Sequence, residues 1–230
     1  MNSIYSTQTD RRTYLFPALF ITITVLEILG DMQGVRWLHY GCKPLIMASL
    51  LGYSQLGTSR RPSAWLGVGM VFALLGDVFL MIREVDLFAI GLGAFLVMQL
   101  CYSMAFWQSI RRPTIRFVRL RWQQAIPFAL YLIGFLVVLY PAFSGNADRQ
   151  LLWWPVVVYA LCLCTMGFLA SQRGKRAGAG WVTIGALLFI LSDSAIAVNK
   201  FMVPIPGAPL LVMSTYAAAQ YLIVLGMLRS

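Results

Sequence analysis

Charge is scarce in this chain: Asp, Glu, Lys and Arg make up 11% of its 230 residues, and only eight residues are acidic. A typical soluble domain carries about 25% charged residues. With 60% of the residues apolar, a soluble fold of this length cannot hide its apolar surface in one core, so part of the solvent must be lipid. Histidine is scarcer still. The lone His39 excludes a His-rich zinc site of the intramembrane-hydrolase type and leaves no Ser-His-Asp set except around itself. No G-x-S-x-G elbow occurs, and no Walker or Rossmann glycine pattern precedes a helix. The four cysteines, Cys42, Cys101, Cys162 and Cys164, all lie inside apolar runs. Cys162 and Cys164 point about 200° apart on a helix and cannot share a metal, so the four read as buried thiols. What remains for chemistry is carboxylates, a lysine, tyrosines and water. Neither a metal nor an organic cofactor is expected.

The basic residues are the exception to this scarcity, and give a net charge of +10. They fall in short clusters between apolar runs, which is the pattern of topology determinants and not of a nucleic-acid face. About 20 predominantly apolar residues cross a bilayer. Eight segments qualify, at 14–30, 37–56, 64–82, 86–108, 123–143, 151–170, 178–199 and 208–228. The reading is all-α: a single polytopic membrane domain over 1–230, joined by short loops. The first apolar run ends Glu27-Ile28-Leu29-Gly30-Asp31 without a small-x-small cleavage site, and reads as a retained span. Thirteen of the eighteen basic residues lie at the two ends or in every second loop: Arg11, Arg12, Arg60, Arg61, Arg111, Arg112, Arg116, Arg119, Arg121, Arg173, Lys175, Arg176 and Arg229. The positive-inside rule then puts both termini in the cytoplasm, as expected of a multi-pass protein of a bacterial inner membrane.

A weak repeat is visible. Gly69-x5-Leu75-Gly76-Asp77 in the third span matches Gly185-x5-Leu191-Ser192-Asp193 in the seventh. Each is followed by Leu-Val-Met in the next span and then by a tyrosine, Tyr102 or Tyr216. Two parallel halves of four spans would produce this; so would chance similarity among apolar sequences.

An ionised side chain at mid-bilayer costs several kcal/mol, about 3 by insertion scales, so ionisable residues within spans are functional candidates by default. Here they are Glu27, Lys43, Asp77 and Asp193, with His39, Asn199 and Lys200 near span ends. Glu27, Asp77 and Asp193 fall late in outward-running spans and Lys43 early in an inward one. All four therefore share the outer half of the membrane, as a common cavity would require. Glu27 is close enough to its span end to reach water, and His39 reads as an interfacial side chain. Helical spacing adds Phe95, Gln99, Tyr102 and Phe106 on one face of the fourth span, and Tyr216 with Gln220 on the eighth. Gly69, Ala73 and Gly76 offer a flat face for close packing beside Asp77. A structural Asp–Lys43 salt bridge and plain packing tyrosines are the competing readings.

These residues are similar to those of the YhhN-like family of lysoplasmalogenases, eight-span membrane enzymes. The resemblance rests on Lys43-Pro44-Leu45, Leu74-Leu75-Gly76-Asp77, and Gly93-Ala94-Phe95 followed by Tyr102 and Phe106. Gly185-Ala186-Leu187-Leu188-Phe189 with Ser192-Asp193, and Tyr216-x3-Gln220-x-Leu222-Ile223, complete it in order across most of the chain. Gln99 stands where that family often has a histidine. A proton-handling role does not carry over to it, though it can hydrogen-bond a substrate. The resemblance implies hydrolysis of the vinyl-ether bond of lysoplasmalogen to a fatty aldehyde and glycerophosphoethanolamine or glycerophosphocholine.

Such a bond breaks when an acid protonates its β-carbon, leaving an oxocarbenium-like cation to which water adds. The demand is for one carboxylic acid and one anion, the division of labour that glycosidases use on a related cation. Asp77 and Asp193 are the expected pair. Lys43 would hold the ionised Asp or the lipid phosphate. Tyr102, Tyr216 and Gln220 would position water or glycerol oxygens, with Gln99, Glu27 and Asn199 in support. The partners implied are a lysophospholipid and membrane lipid, without nucleic acid or an obligate protein partner. A transporter, a hydrolase of another lipid bond and a membrane scaffold are the alternatives, in that order.

Overall fold

A computed structural model describes residues 2–56, 62–82, 84–111, 120–145, 147–174 and 176–229, with side chains from Leu15 onward except at 147 and 148. Much of the basic pattern, from Arg11 and Arg12 through Arg60, Arg61, Arg112, Arg116 and Arg119 to Lys175, lies outside those residues or side chains. Among the described residues the chain is helical throughout, without a strand. The helices are α1 (Asn2–Met32), α2 (Arg36–Leu56), α3 (Ala64–Met81), α4 (Phe88–Ile110), α5 (Ala125–Leu139), α6 (Pro141–Ser144), α7 (Ala147–Gln150), α8 (Trp153–Ser171), α9 (Ala179–Phe201) and α10 (Ala208–Leu228).

Among the described residues, seven segments are long and apolar enough to cross a membrane: Leu15–Met32, Ala64–Met81, Phe88–Ile110, Trp122–Ser144, Trp153–Ser171, Ala179–Phe201 and Ala208–Leu228. The protein is a polytopic all-α membrane protein. The remaining long helix, α2, has 21 residues but carries Arg36, His39 and Lys43 in its first half and Ser54 and Gln55 at its end. Those residues lower its apolarity below that of its neighbours.

Consecutive long helices pack as antiparallel hairpins, α1 on α2, α3 on α4 and α9 on α10. Further contacts join α4 to α8, α5 to α8 and α1 to α10. The core is built of Ile46, Met47 and Leu50 from α2, Met70 from α3, Met98 and Phe106 from α4, and Phe189 and Ile223 from α9 and α10. On α5 the exposed Ile126, Leu130, Ile133 and Val137 recur at helical spacing and form a lipid-facing stripe.

Small residues set the closest approach. A Cβ on Gly69 would lie 2.6 Å from the Tyr102 ring, and one on Gly76 would lie 2.7 Å from the Phe95 ring. Ala73, between them, is fully buried. The flat face foreseen on this helix is therefore what lets α4 bring its polar stripe against α3. Gly76→Val is expected to cost about 1–3 kcal/mol through overpacking, read as a lower melting temperature in detergent. Gly93→Ala, where a Cβ meets nothing within 4 Å, should leave it unchanged.

The loops alternate between two ends. At one, Arg176 Nη2 donates to Ile110 O at 3.1 Å, Arg173 Nε to Ser109 Oγ at 3.0 Å, and the Arg121 amide to Gln172 Oε1 at 2.7 Å. At the other, Tyr40 donates to Glu84 at 3.1 Å, Arg149 Nη1 to Phe201 O at 3.1 Å, and Lys200 sits 3.8 Å from Asp86.

Candidate active site

The polar residues of the apolar helices meet inside the bundle toward the end that carries Glu84 and Asp86. Asp77 projects from α3 and is almost fully buried. Tyr216 of α10 donates a hydrogen bond to its Oδ2 at 2.7 Å. One turn further along α10, Gln220 accepts at Oε1 from the Tyr102 hydroxyl of α4 at 2.8 Å. Tyr102 and Gln220 are both inaccessible to solvent; the bond gives the buried phenol its partner, while Gln220 Nε2 has none among the described residues.

Asp193 of α9 has its own partners. Its Oδ2 accepts from the Tyr159 hydroxyl of α8 at 2.5 Å and from Gln99 Nε2 of α4 at 3.5 Å. Beside it, Ser194 bonds Tyr131 of α5, and Ser192 donates to Val212 O at 3.0 Å, tying α9 to α10. Each aspartate thus takes its hydrogen bonds on Oδ2, and among the described residues Oδ1 takes none. No hydrogen bond joins the two carboxyl groups. Between them stands an aromatic cluster, with the Phe189 and Phe95 rings 5.7 and 5.9 Å from that of Tyr216.

Two cavities open into this region. The first is apolar, about 50 Å³, walled by Leu92, Phe95, Tyr131, Phe135, Leu163 and Phe201, with Asp193, Ser194 and Tyr159 as its polar groups. The second is wide and polar, about 590 Å³, and carries Lys43, Asp31, Asn199, Lys200 and Asp86 in its wall. Leu80, Phe88 and Ile196 belong to both walls. An amphiphile lying across that boundary would place an apolar chain on one side and a charged group on the other.

Most of the residues expected from the sequence are brought together here, in unequal roles. Asp193 lines the apolar cavity, whereas Asp77 lies behind the cavity walls and reaches them through Tyr216 and Phe95. Lys43 lines the polar cavity, but no ion pair joins it to Asp77 among the described residues. The salt-bridge alternative is therefore not what the geometry gives. Asn199 faces the polar cavity while its Oδ1 accepts from the Ile205 amide at 2.8 Å, which fixes the turn into α10. Lys200 lies over the Phe88 ring at 5.0 Å, at the rim.

Two expectations are corrected. Glu27 does not reach water: it is fully buried. His39 is not interfacial: it is buried, with Nδ1 3.1 Å from Glu27 Oε1. The hairpin turn folds α2 back over the end of α1 and covers both. Three residues escaped the sequence reading altogether, Tyr159, Tyr131 and Ser194. Ser194 adjoins Asp193, and Tyr159 is a phenol inside an apolar run, which calls for a hydrogen-bond partner; nothing in the chain's spacing said which.

Comparison with known proteins bears on what such a site does. Human lysoplasmalogenase TMEM86A is 34% identical over 177 residues, covering 74% of this chain and 68% of that protein. A lysoplasmalogenase of Mycobacterium bovis is 28% identical over 214 residues, covering 90% of this chain and 78% of that one. Human lysoplasmalogenase TMEM86B is 47% identical over a shorter stretch of 76 residues, 33% of this chain and 31% of its own length. No solved structure matches. Residues 38–227, from the start of α2 to the end of α10 and so including both aspartates and their tyrosines, match the model of the YhhN family, and the chain belongs to that family.

Proposed function

We propose that this protein hydrolyses the vinyl-ether bond of a lysoplasmalogen, releasing a fatty aldehyde and glycerophosphoethanolamine or glycerophosphocholine. The observation that carries this reading is one carboxyl group, Asp193, in the wall of an apolar cavity that meets a polar cavity bearing Lys43. That arrangement suits a single-chain lipid with a phosphate head, and the relatives named above are lysoplasmalogenases. The apolar slot holds a few waters at most as it stands, so the fatty chain enters by parting its walls or from the lipid side.

Asp193 is assigned as the acid. It lines the apolar cavity, where it can touch a lipid chain, with Tyr159, Gln99 and Ser194 beside it and no cation among the described residues. It gives its proton to the β-carbon of the vinyl ether, and the electron pair of that double bond forms the new C–H bond. The adjoining carbon, bonded to oxygen, becomes oxocarbenium-like. Water adds there and returns one proton to Asp193, and the hemiacetal collapses to aldehyde and the glycerol alcohol. Asp77 is assigned as the anion, held by Tyr216 and by the field of Lys43, and stabilises the cation from behind the aromatic wall.

Lys43 is assigned to the lipid phosphate. A charge-assisted hydrogen bond contributes about 1.5–3 kcal/mol, so Lys43→Met should raise KM about 10- to 100-fold with a smaller change in kcat. A loss confined to kcat would instead tie Lys43 to Asp77.

In the bilayer the reading is of eight spans, α2 included, with both termini cytoplasmic and the site in the outer half of a bacterial inner membrane. The arginine-rich end of the bundle supports that orientation. Two four-span halves also fit, because Asp77 is held by Tyr216 of the second half and Asp193 by Gln99 of the first.

The test is aldehyde release by the purified full-length chain from lysoplasmalogen, with a diacyl plasmalogen and an ester lysophospholipid in parallel. Aldehyde is expected from lysoplasmalogen alone. None from folded protein would overturn the reading and direct attention to solute flux in proteoliposomes.

A further inference from the structure

Glu27, Asp31 and His39 form a second polar cluster that the hydrolytic scheme does not use. Glu27 and Asp31 are one helical turn apart near the end of α1, so their carboxyl groups share a face. The turn at Gln33–Val35 brings the start of α2 back alongside. A Cβ on Gly30 would lie 2.9 Å from the His39 backbone nitrogen, so only glycine between the two carboxylates lets His39 come this close. His39 Nδ1 stands 3.1 Å from Glu27 Oε1 and 3.9 Å from Asp31 Oδ1. One ligand atom from each of the three lies within 4.8 Å of the others.

These distances do not describe a hydrogen-bonded network. Glu27 is fully buried and His39 is 5% exposed. Among the described residues both oxygens of Glu27 and both ring nitrogens of His39 lack a hydrogen-bond partner. The 3.1 Å approach of Nδ1 to Oε1 is therefore close but not in line for an N–H···O bond. Four buried polar atoms in that condition are costly. One ring nitrogen of His39 and one carboxylate oxygen each of Glu27 and Asp31 lie close enough together to share one ligand. Ligands about 2.1 Å from a dication in tetrahedral or octahedral geometry stand about 3.0–3.4 Å apart; the Glu27–His39 pair is at that spacing, and Asp31, at 3.9 Å, would move in by about half an ångström.

We propose that Glu27, Asp31 and His39 bind one divalent transition-metal ion, zinc or manganese, that clasps α1 to α2 beside the polar cavity. The donor set selects the class. An imidazole nitrogen with two carboxylates suits zinc or manganese, whereas magnesium and calcium favour oxygen alone. A dication also balances two carboxylates that otherwise face one imidazole. Entry is available, since Asp31 lies in the wall of the polar cavity and of a smaller one of about 280 Å³ beside Arg36 and Tyr40. The sequence concealed this site because metal sites are sought as histidine or cysteine pairs, and here one histidine completes two carboxylates of the preceding helix.

The experiment is metal analysis of the full-length chain, purified in detergent without a polyhistidine tag, stripped with chelator, reloaded with Zn2+ and desalted. About one zinc per chain is expected, falling below about one tenth in Glu27→Gln and in His39→Gln, with Glu84→Gln retaining it. Should the variants misfold, X-ray absorption at the zinc edge of the wild-type protein decides alone: nitrogen and oxygen ligands at about 2.0–2.1 Å support the site. No retained zinc, zinc unchanged in folded Glu27→Gln and His39→Gln, or a sulfur shell at about 2.3 Å from a thiol such as Cys42 would overturn it.

Discussion

Asp193→Asn is expected to lower aldehyde release from lysoplasmalogen by about 10³-fold or more, the upper part of the range for a positioned general acid. Asparagine keeps the shape of the side chain and an oxygen for the Tyr159 hydroxyl and Gln99 amide to approach. What it removes is the transferable proton. A neutral amide is also easier to bury than a carboxyl group that must ionise in each cycle. The variant should therefore melt at the wild-type temperature or above it, the usual signature of a group retained for activity and not for stability. Full activity in folded Asp193→Asn would remove the acid from the scheme.

Asp77→Asn should reduce kcat about 10²-fold, the scale for losing one pre-oriented electrostatic group, with KM little changed. The smaller figure follows from position. Asp77 is behind the cavity wall and, in the proposed scheme, acts on the developing cation through space, whereas Asp193 lines the cavity and would touch the substrate. The bond from Tyr216 at 2.7 Å fixes the carboxyl group, so the charge is lost without a general collapse of the wall. The order matters more than either value. A greater loss in Asp77→Asn than in Asp193→Asn would exchange the two roles; equal and complete losses would mean that both carboxyls touch the substrate.

The helices were legible because a lipid solvent enforces long apolar runs: seven of the eight segments read from hydropathy hold a span among the described residues, although α1 begins at Asn2, well before its apolar run. Asp77 and Asp193 were legible for the related reason that an acid in such a run is costly. The Gly69–Gly76 face announced a close contact because nothing else explains small residues at helical spacing. Partnership between helices was not legible. Spacing tells which residues share a face but not which face it meets, so Tyr102 bonds Gln220 and not an aspartate, and Tyr159 went unnoticed. Glu27 was misjudged for a third reason. Its depth along α1 suggested water, but burial there is decided by α2 folding back through the Gly34 turn, a feature of tertiary structure.

The scheme's central claim is that a carboxylic acid of the protein delivers the proton to carbon. Turnover of lysoplasmalogen in D2O, with the aldehyde reduced to its alcohol as it forms, tests this through the configuration of the label. A fixed acid reaches one face of the double bond only. One deuterium on the carbon next to the former carbonyl, in a single configuration, is the result predicted. An equal mixture of configurations, or product without deuterium at that carbon, would contradict it.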